Sequence, residues 1–173
     1  MKSNRKFVFL IILLVVFMSL VFYIRAKKVV RERRIWQEVV LYLADFSSPK
    51  GPSLVPVKMK VEKEDALNSA IELLIHPPPY LRGVSSPLPR GTRLISAEVK
   101  GDTAYLNFSK ELKDNFLGGS TNEMLVVYGI VNTACSINGI KRVQILIEGK
   151  NIESLGGHLE IMEPLEPNRE IVR

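Results

Sequence analysis

Residues 7–24 read FVFLIILLVVFMSLVFYI, an eighteen-residue run without a charge, in which Ser19 and Tyr23 carry the only hydroxyls. As a helix rising about 1.5 Å per residue it covers roughly 27 Å, close to the hydrocarbon thickness of a bilayer. A helix apolar on every side and flanked at both ends by cations is unlike a buried helix of a soluble domain. A cleaved signal peptide has a shorter apolar core and a small-x-small site behind it, whereas Tyr23, Ile24, Arg25, Ala26 and Lys27 supply neither. No Cys follows the run to take a lipid, since the chain has one, Cys135. The run therefore reads as an uncleaved transmembrane signal anchor, with Phe7, Leu10, Leu13, Phe17 and Phe22 as its anchor side chains.

That span leaves room for one ordinary domain in the 173 residues. The net charge of +6 raises the question of nucleic acid, but its distribution decides the answer. Nine of the 24 basic residues and one of the 18 acids, Glu32, lie before residue 35, which leaves 15 basic against 17 acidic residues in the body. The basicity belongs to the flanks of the span. Membrane lipids are the partner this pattern fits, through the span and the juxtamembrane cluster Arg25, Lys27, Lys28, Arg31, Arg33 and Arg34. Orientation stays open on residues alone. Three basic side chains and the amino terminus precede the span and six basic residues follow it, which favours a cytoplasmic body, yet a short tail, one span and a soluble domain is the usual plan of an exported, tethered protein.

The organisation read from the pattern is a basic tail over residues 1–6, the anchor over 7–24, a basic stalk over 25–36 that is helical from residue 29, a domain over 37–163 and a ragged polar tail over 164–173. Residues 38–45 are a β-rich apolar run and 55–61 alternate as a half-exposed strand, with Pro56 suited to an edge. Ala66, Leu67, Ala70, Ile71, Leu74 and Ile75 line one face of a helix that three prolines stop. Residues 93–99 and 103–108 flank a tight Lys100-Gly101-Asp102 turn, and 109–117 form a helical turn. Ser120 stands three residues before Glu123, the spacing of a reciprocal helix cap. The helix so begun carries Met124, Val127, Tyr128, Val131, Ala134 and Cys135 as its buried stripe and ends at Asn138-Gly139. Residues 143–147 are the last clear strand, with a short one expected at 159–162. The order β-β-α-β-β-α-β specifies an α+β fold, a two-layer sandwich of one mixed sheet and two helices, preceded by one transmembrane helix.

No arrangement of side chains carries recognisable chemistry. His76 beside three prolines and His158 after two glycines have no acid and nucleophile near them in sequence, and read as turn histidines. Cys135 falls on an apolar stripe without a cation to activate it. No Cys/His spacing suits a metal, and the aromatics Tyr42, Tyr105, Phe108 and Tyr128 are not interleaved with basic residues as a nucleic-acid stacking platform requires. Gly118-Gly119-Ser120-Thr121 before a helix can bind an anion through free amides, but it is also the ordinary chemistry of a helix start. No catalytic, cofactor or metal residue is expected.

At Ser86-Pro87-Leu88-Pro89-Arg90-Gly91-Thr92-Arg93-Leu94 the chain resembles the GerM-type (GerMN) domain of sporulation and spore-germination proteins. The likeness continues in register through Gly101, the stretch Ala104-Tyr105-Leu106-Asn107-Phe108-Ser109-Lys110-Glu111-Leu112, Gly118-Gly119-Ser120-Thr121-Asn122-Glu123 and Ile130-Val131-Asn132-Thr133. It closes at Val143-Gln144-Ile145-Leu146-Ile147-Glu148-Gly149. The chain departs from the family at His76-Pro77-Pro78-Pro79, where Gly-Pro is frequent. The resemblance implies a domain similar to the ring-building modules of sporulation envelope complexes, on the non-cytoplasmic side of the membrane and without catalytic residues. It implies other envelope or sporulation proteins as partners, a homo-oligomer among the options. A cell-wall-acting hydrolase using His158, or a cytoplasm-facing membrane-tethered adaptor, is the competing reading. The candidate partner surface is the loop over residues 80–92 with the segment 118–123: Arg82, Ser86, Pro87, Pro89, Arg90, Gly118, Gly119 and Ser120. Loops concentrate binding residues, and prolines fix this one's path at low ordering cost; the alternative is that Pro87-Leu88-Pro89 only packs Leu88 onto the core and aims the chain into the hairpin.

Overall fold

The computed structural model describes residues 2–32 and 35–173, and within the N-terminal helix the side chains of 9 and 11–25. The chain divides into two units, residues 1–35 and 36–173. The first is helix α1, Lys2–Glu32. Leu13, Phe17 and Phe22 are exposed on it, while the expected anchor side chains Phe7 and Leu10 lie outside the described residues, as do those of Lys27, Lys28, Arg31, Arg33 and Arg34. Ser19 donates its hydroxyl to the Val16 carbonyl at 2.8 Å, so this polar group is satisfied within its own helix. Among the described residues no helix is long and apolar enough to cross a membrane. The helix expected at 7–24 is present as part of α1.

The second unit begins with β1, Trp36–Asp45, and β2, Ser53–Glu62, paired antiparallel from Trp36 opposite Glu62 to Asp45 opposite Ser53. Trp36, expected as the last residue of a helical stalk, is therefore strand. A 3-10 turn leads into α2, Ala66–Ile75, which buries Ala66, Ala70, Ile71, Leu74 and Ile75, the face expected from its spacing. Strands β3, Leu94–Lys100, and β4, Thr103–Phe108, form the expected hairpin, with Gly101 at φ +65° in its turn. Then come α3, Glu111–Asp114, α4, Ser120–Cys135, and β5, Arg142–Ile147. β5 lies parallel to β4, which makes β3-β4-β5 a mixed sheet.

The fold is α+β in the expected order, but it has two sheets where one was expected. The reason lies along β1. Its free edge is occupied by α4, where the Val40 N–H donates to Ser136 Oγ and the Tyr42 N–H to Thr133 Oγ1, each at 3.0 Å. Ala44 completes the edge by exchanging two 2.9 Å backbone bonds with Ser85. A helix in the place of a neighbouring strand keeps the two sheets apart, while satisfying the backbone donors that burial would otherwise leave unpaired.

Between the sheets, α4 is buried on more than a stripe. Val127, Val131 and Ala134 are inside as expected, but so are Leu125, Val126, Gly129, Ile130, Asn132 and Thr133, whereas Met124, Tyr128 and Cys135 are half-buried. Packed against β1, α2 and β5, the helix leaves to water only the narrow face that carries Met124, Tyr128 and Cys135. Leu41, Leu43, Leu74, Leu106, Phe108 and Ile145 fill the same core, each contributing about 1.5–3 kcal/mol by burial.

The polar stretch after residue 163 is tied down. Leu165 exchanges two 2.9 Å backbone bonds with Val143, and Asn168 is held in both directions by the side chain of Asn132, at 2.6 and 3.0 Å. Leu54 then donates to the Ile171 carbonyl and accepts from the Arg173 N–H, each at 2.9 Å. The segment is a strap joining β5, α4 and β2. No strand forms at 159–162; Ile161 is instead buried as a single anchor, its N–H donating to Glu153.

Candidate functional site

The proline-rich loop is built from the inside outward. Its entry is clamped by the Ala44–Ser85 bridge. Ser86 Oγ accepts the Leu88 N–H at 3.1 Å, which bends the chain so that Pro87 and Leu88 turn into the body, and both are buried. Pro87 packs where α4 carries Gly129: a β-carbon there would stand 2.7 Å from Pro87 Cγ and 3.3 Å from the Tyr42 carbonyl. Pro87 therefore leaves the candidate surface and becomes a packing residue; Ser86 and Pro89 are half-buried. Thr92 closes the loop by donating its hydroxyl to the Pro89 carbonyl at 2.7 Å. Arg82 and Arg90 project from this frame and are exposed.

The second segment is positioned by a different device. Gly118 and Gly119 both have positive φ, +84° and +90°, and Gly119 caps α4 with its carbonyl accepting the Glu123 N–H at 3.0 Å. The reciprocal Ser120–Glu123 cap does not form. The Glu123 side chain turns inward instead and is 0% exposed. Its Oε1 accepts the N–H groups of Leu155 and Gly156 at 2.9 and 2.8 Å, and its Oε2 that of His158 at 2.9 Å. Three backbone donors answer the buried carboxylate, and together they hold the loop over residues 155–158 against the start of α4. Phe116 seals the junction, since a β-carbon on Gly156 would meet its ring at 2.5 Å.

The two segments meet through Asn115, whose Nδ2 donates to the Arg90 carbonyl at 2.8 Å three residues before Gly118. Arg90, Gly119 and Ser120 thus belong to neighbouring exposed loops, with Gly118 half-buried. Arg82 lies at the far end of the loop beside the Ala44–Ser85 bridge. Reading the sequence missed the apolar members of this surface. Leu117 is 96% exposed next to Gly118, Tyr80 is 69% exposed two residues before Arg82, and Phe46 is 54% exposed two residues beyond Ala44. A leucine between Phe116 and two glycines carries no periodic signal of which way it points.

Chemically the surface offers cations, apolar side chains and backbone groups. His76 and His158 are exposed, and the described residues hold no group of three metal-ligating side chains. Burial, and behind it the charge of Glu166, pushes the Cys135 thiol up to about 11, so it is scarcely ionised near neutrality. An open cleft beside β1 is lined by Trp36, Gln37, Glu38 and Lys60, and its carboxylate is paired with Lys58 at 2.9 Å.

The family model described as Germane, sporulation and spore germination, matches residues 40–153. The first GerMN domain of the sporulation protein GerM from Bacillus subtilis superposes with a TM-score of 0.61 at 25% identity, covering 75% of this chain and 97% of that one. The tandem GerMN domains of the same protein give 0.64 at 17% identity over 80% of this chain and 48% of that structure, a likeness of fold. A protein from Clostridium perfringens provisionally described as a lipoprotein gives 0.54 at 27% identity, over 76% and 87% of the two chains. No curated protein matches the chain.

Proposed function

The chain belongs to the Germane family of sporulation and spore germination domains, and from that premise we propose that it is a membrane-tethered, non-enzymatic envelope protein whose body binds partner proteins on the non-cytoplasmic side. The family match over residues 40–153 is the observation that carries the reading. The family's description names a process and no reaction. The eighteen uncharged residues 7–24, lying in α1, support a single span, and the provisional lipoprotein description of the Clostridium perfringens protein is consistent with an envelope attachment. Arg82 and Arg90, flanked by Tyr80 and Leu117, form the partner-facing surface: cations beside exposed apolar side chains on a loop whose backbone is already ordered.

Affinity recovery of partners from envelope extract tests this reading. Replacing both arginines, Arg82→Ala with Arg90→Ala, is expected to reduce recovery while stability changes by under about 0.5 kcal/mol, as is usual for exposed positions. Unchanged recovery with the fold intact removes this surface from the reading. The basic cluster after the span favours the cytoplasm-facing adaptor, so body orientation is the second quantity to measure.

A further inference from the structure

Each strand edge of the body has to be closed, blunted or used. The β1 edge is taken by Ser136, Thr133 and Ser85, and β5 is bridged by Leu165 and Lys150. β2 is held at Leu54 by the strap, and beyond it presents Pro56, which has no N–H, and the exposed Lys58 and Lys60. Strand β3 differs. It pairs with β4 on one side, and among the described residues no strand pairs with it on the other. It also exposes Ile95 and Val99, 50% each.

We infer that β3 is a self-pairing edge, taking the β3 strand of a second copy of this chain as an antiparallel neighbour across a two-fold axis. Register follows from charge and pleat. Val99 lies opposite the buried Ala104 and so shares its side of the sheet, which puts Glu98 and Lys100 on the outer side. Centring the pair on Val99 sets Val99 against Val99 of the second copy and Glu98 directly opposite its Lys100, twice over by symmetry. Moving the centre to Glu98 or to Lys100 sets like charges face to face, which is destabilising, and centring on Ala97 sets Glu98 against Ser96 and Lys100 against Leu94, so that neither charge meets an opposite one. Half-step shifts turn the second copy's core face outward. Within one chain Glu98 and Lys100 already approach to 3.2 Å, so both side chains are carried on the outer face.

A pairing this short buries less than the roughly 1,000 Å² of a stable free-standing interface. It is accordingly weak in dilute solution and favoured where two copies share one membrane and their effective concentration is high. The pairing rests on β3 itself and not on the envelope reading, which enters only through that concentration.

Oxidative cross-linking of the full chain in membranes, in a Cys135→Ser background, tests it. Val99→Cys is expected to give a covalent dimer. Ile95→Cys, equally exposed but eight positions and about 27 Å from its own copy in this register, is expected to give roughly tenfold less. Adding Glu98→Lys to Val99→Cys places lysines opposite one another and is expected to cut the dimer by roughly tenfold; adding Lys100→Glu to that variant restores both pairs and the dimer. Equal cross-linking at the two cysteines overturns the inference. So does a Val99→Cys dimer indifferent to Glu98→Lys, failure of the double charge exchange to restore it, or cross-linking of Val99→Cys to a different protein in place of the dimer.

Discussion

The backbone N–H of His158 donates to the Glu123 carboxylate at 2.9 Å, joining two residues 35 positions apart inside the body. With Leu155 and Gly156 also donating, this carboxylate pins the loop after β5 to the start of α4. Glu123→Gln keeps the shape but sets an amide NH₂ against N–H donors, and is expected to cost about 1–3 kcal/mol. Chemical denaturation reads the loss, and hydrogen exchange at residues 155, 156 and 158 should accelerate well before the rest of the sheet. Unchanged exchange there would show that the loop is held by something else.

Gly129 is the counterpart of Pro87. Ala at this position gains about 1 kcal/mol of helix propensity, but its β-carbon meets the proline ring at 2.7 Å, and overpacking of this kind costs about 1–3 kcal/mol. Gly129→Ala is therefore expected to destabilise the domain by up to about 2 kcal/mol. Pro87→Ala in the same chain should recover most of that, a non-additivity that thermal or urea unfolding of the four variants measures.

Thr133 is buried with its hydroxyl accepting the Tyr42 N–H. Thr133→Val keeps the volume and removes the acceptor, leaving a β1 donor unpaired at an expected cost of about 1–3 kcal/mol. Thr133→Ser retains the hydroxyl and should cost visibly less in the same urea titration. Equal losses would mean that packing at this position matters and the hydrogen bond does not.

Asp102 links the β3–β4 turn to the start of β5. Arg142 Nη2 donates to its Oδ1 at 2.8 Å, and this bond, followed by the charge of Arg142 and a weaker bond from Thr103, holds its carboxyl below the usual aspartate range. A folded value lower than the unfolded one adds stability that is full above about pH 3.9, the unfolded value, and fades as pH falls through the folded one. Carboxyl-detected NMR should find the Asp102 midpoint below that of an unpaired aspartate, and Arg142→Ala should raise it. An Asp102 midpoint that does not move on Arg142→Ala would remove the guanidinium as its cause.

Local pattern was enough for most of the elements, though not for the strand expected at 159–162 or the helical stalk expected to reach Trp36. The apolar spacing of Ala66 to Ile75 reproduces α2, and the Gly101 turn reproduces the hairpin. What stayed hidden depends on groups distant in sequence. Ser120 and Glu123 have capping-box spacing, but the amides at 155–158 compete for the same carboxylate and win. The two-sheet division rests on Thr133 and Ser136, ordinary helix residues until β1 lies beside them. On the candidate surface, Arg82 and Arg90 are exposed as charges generally are, whereas the burial of Pro87 follows from a glycine 42 residues away. The strap over 164–173 is polar in composition and ordered by backbone bonding, which composition does not encode.

The central claim is a body held outside the cytoplasm by its N-terminal helix, and Leu117, 96% exposed, is the position from which to test it. In a Cys135→Ser background, the full chain carrying Leu117→Cys is treated with a membrane-impermeant maleimide in intact cells and, in parallel, after lysis. The account predicts labelling of intact cells to the same extent as lysed ones, with the labelled chain recovered in the membrane fraction. Labelling that appears only after lysis would contradict it and place the body in the cytoplasm.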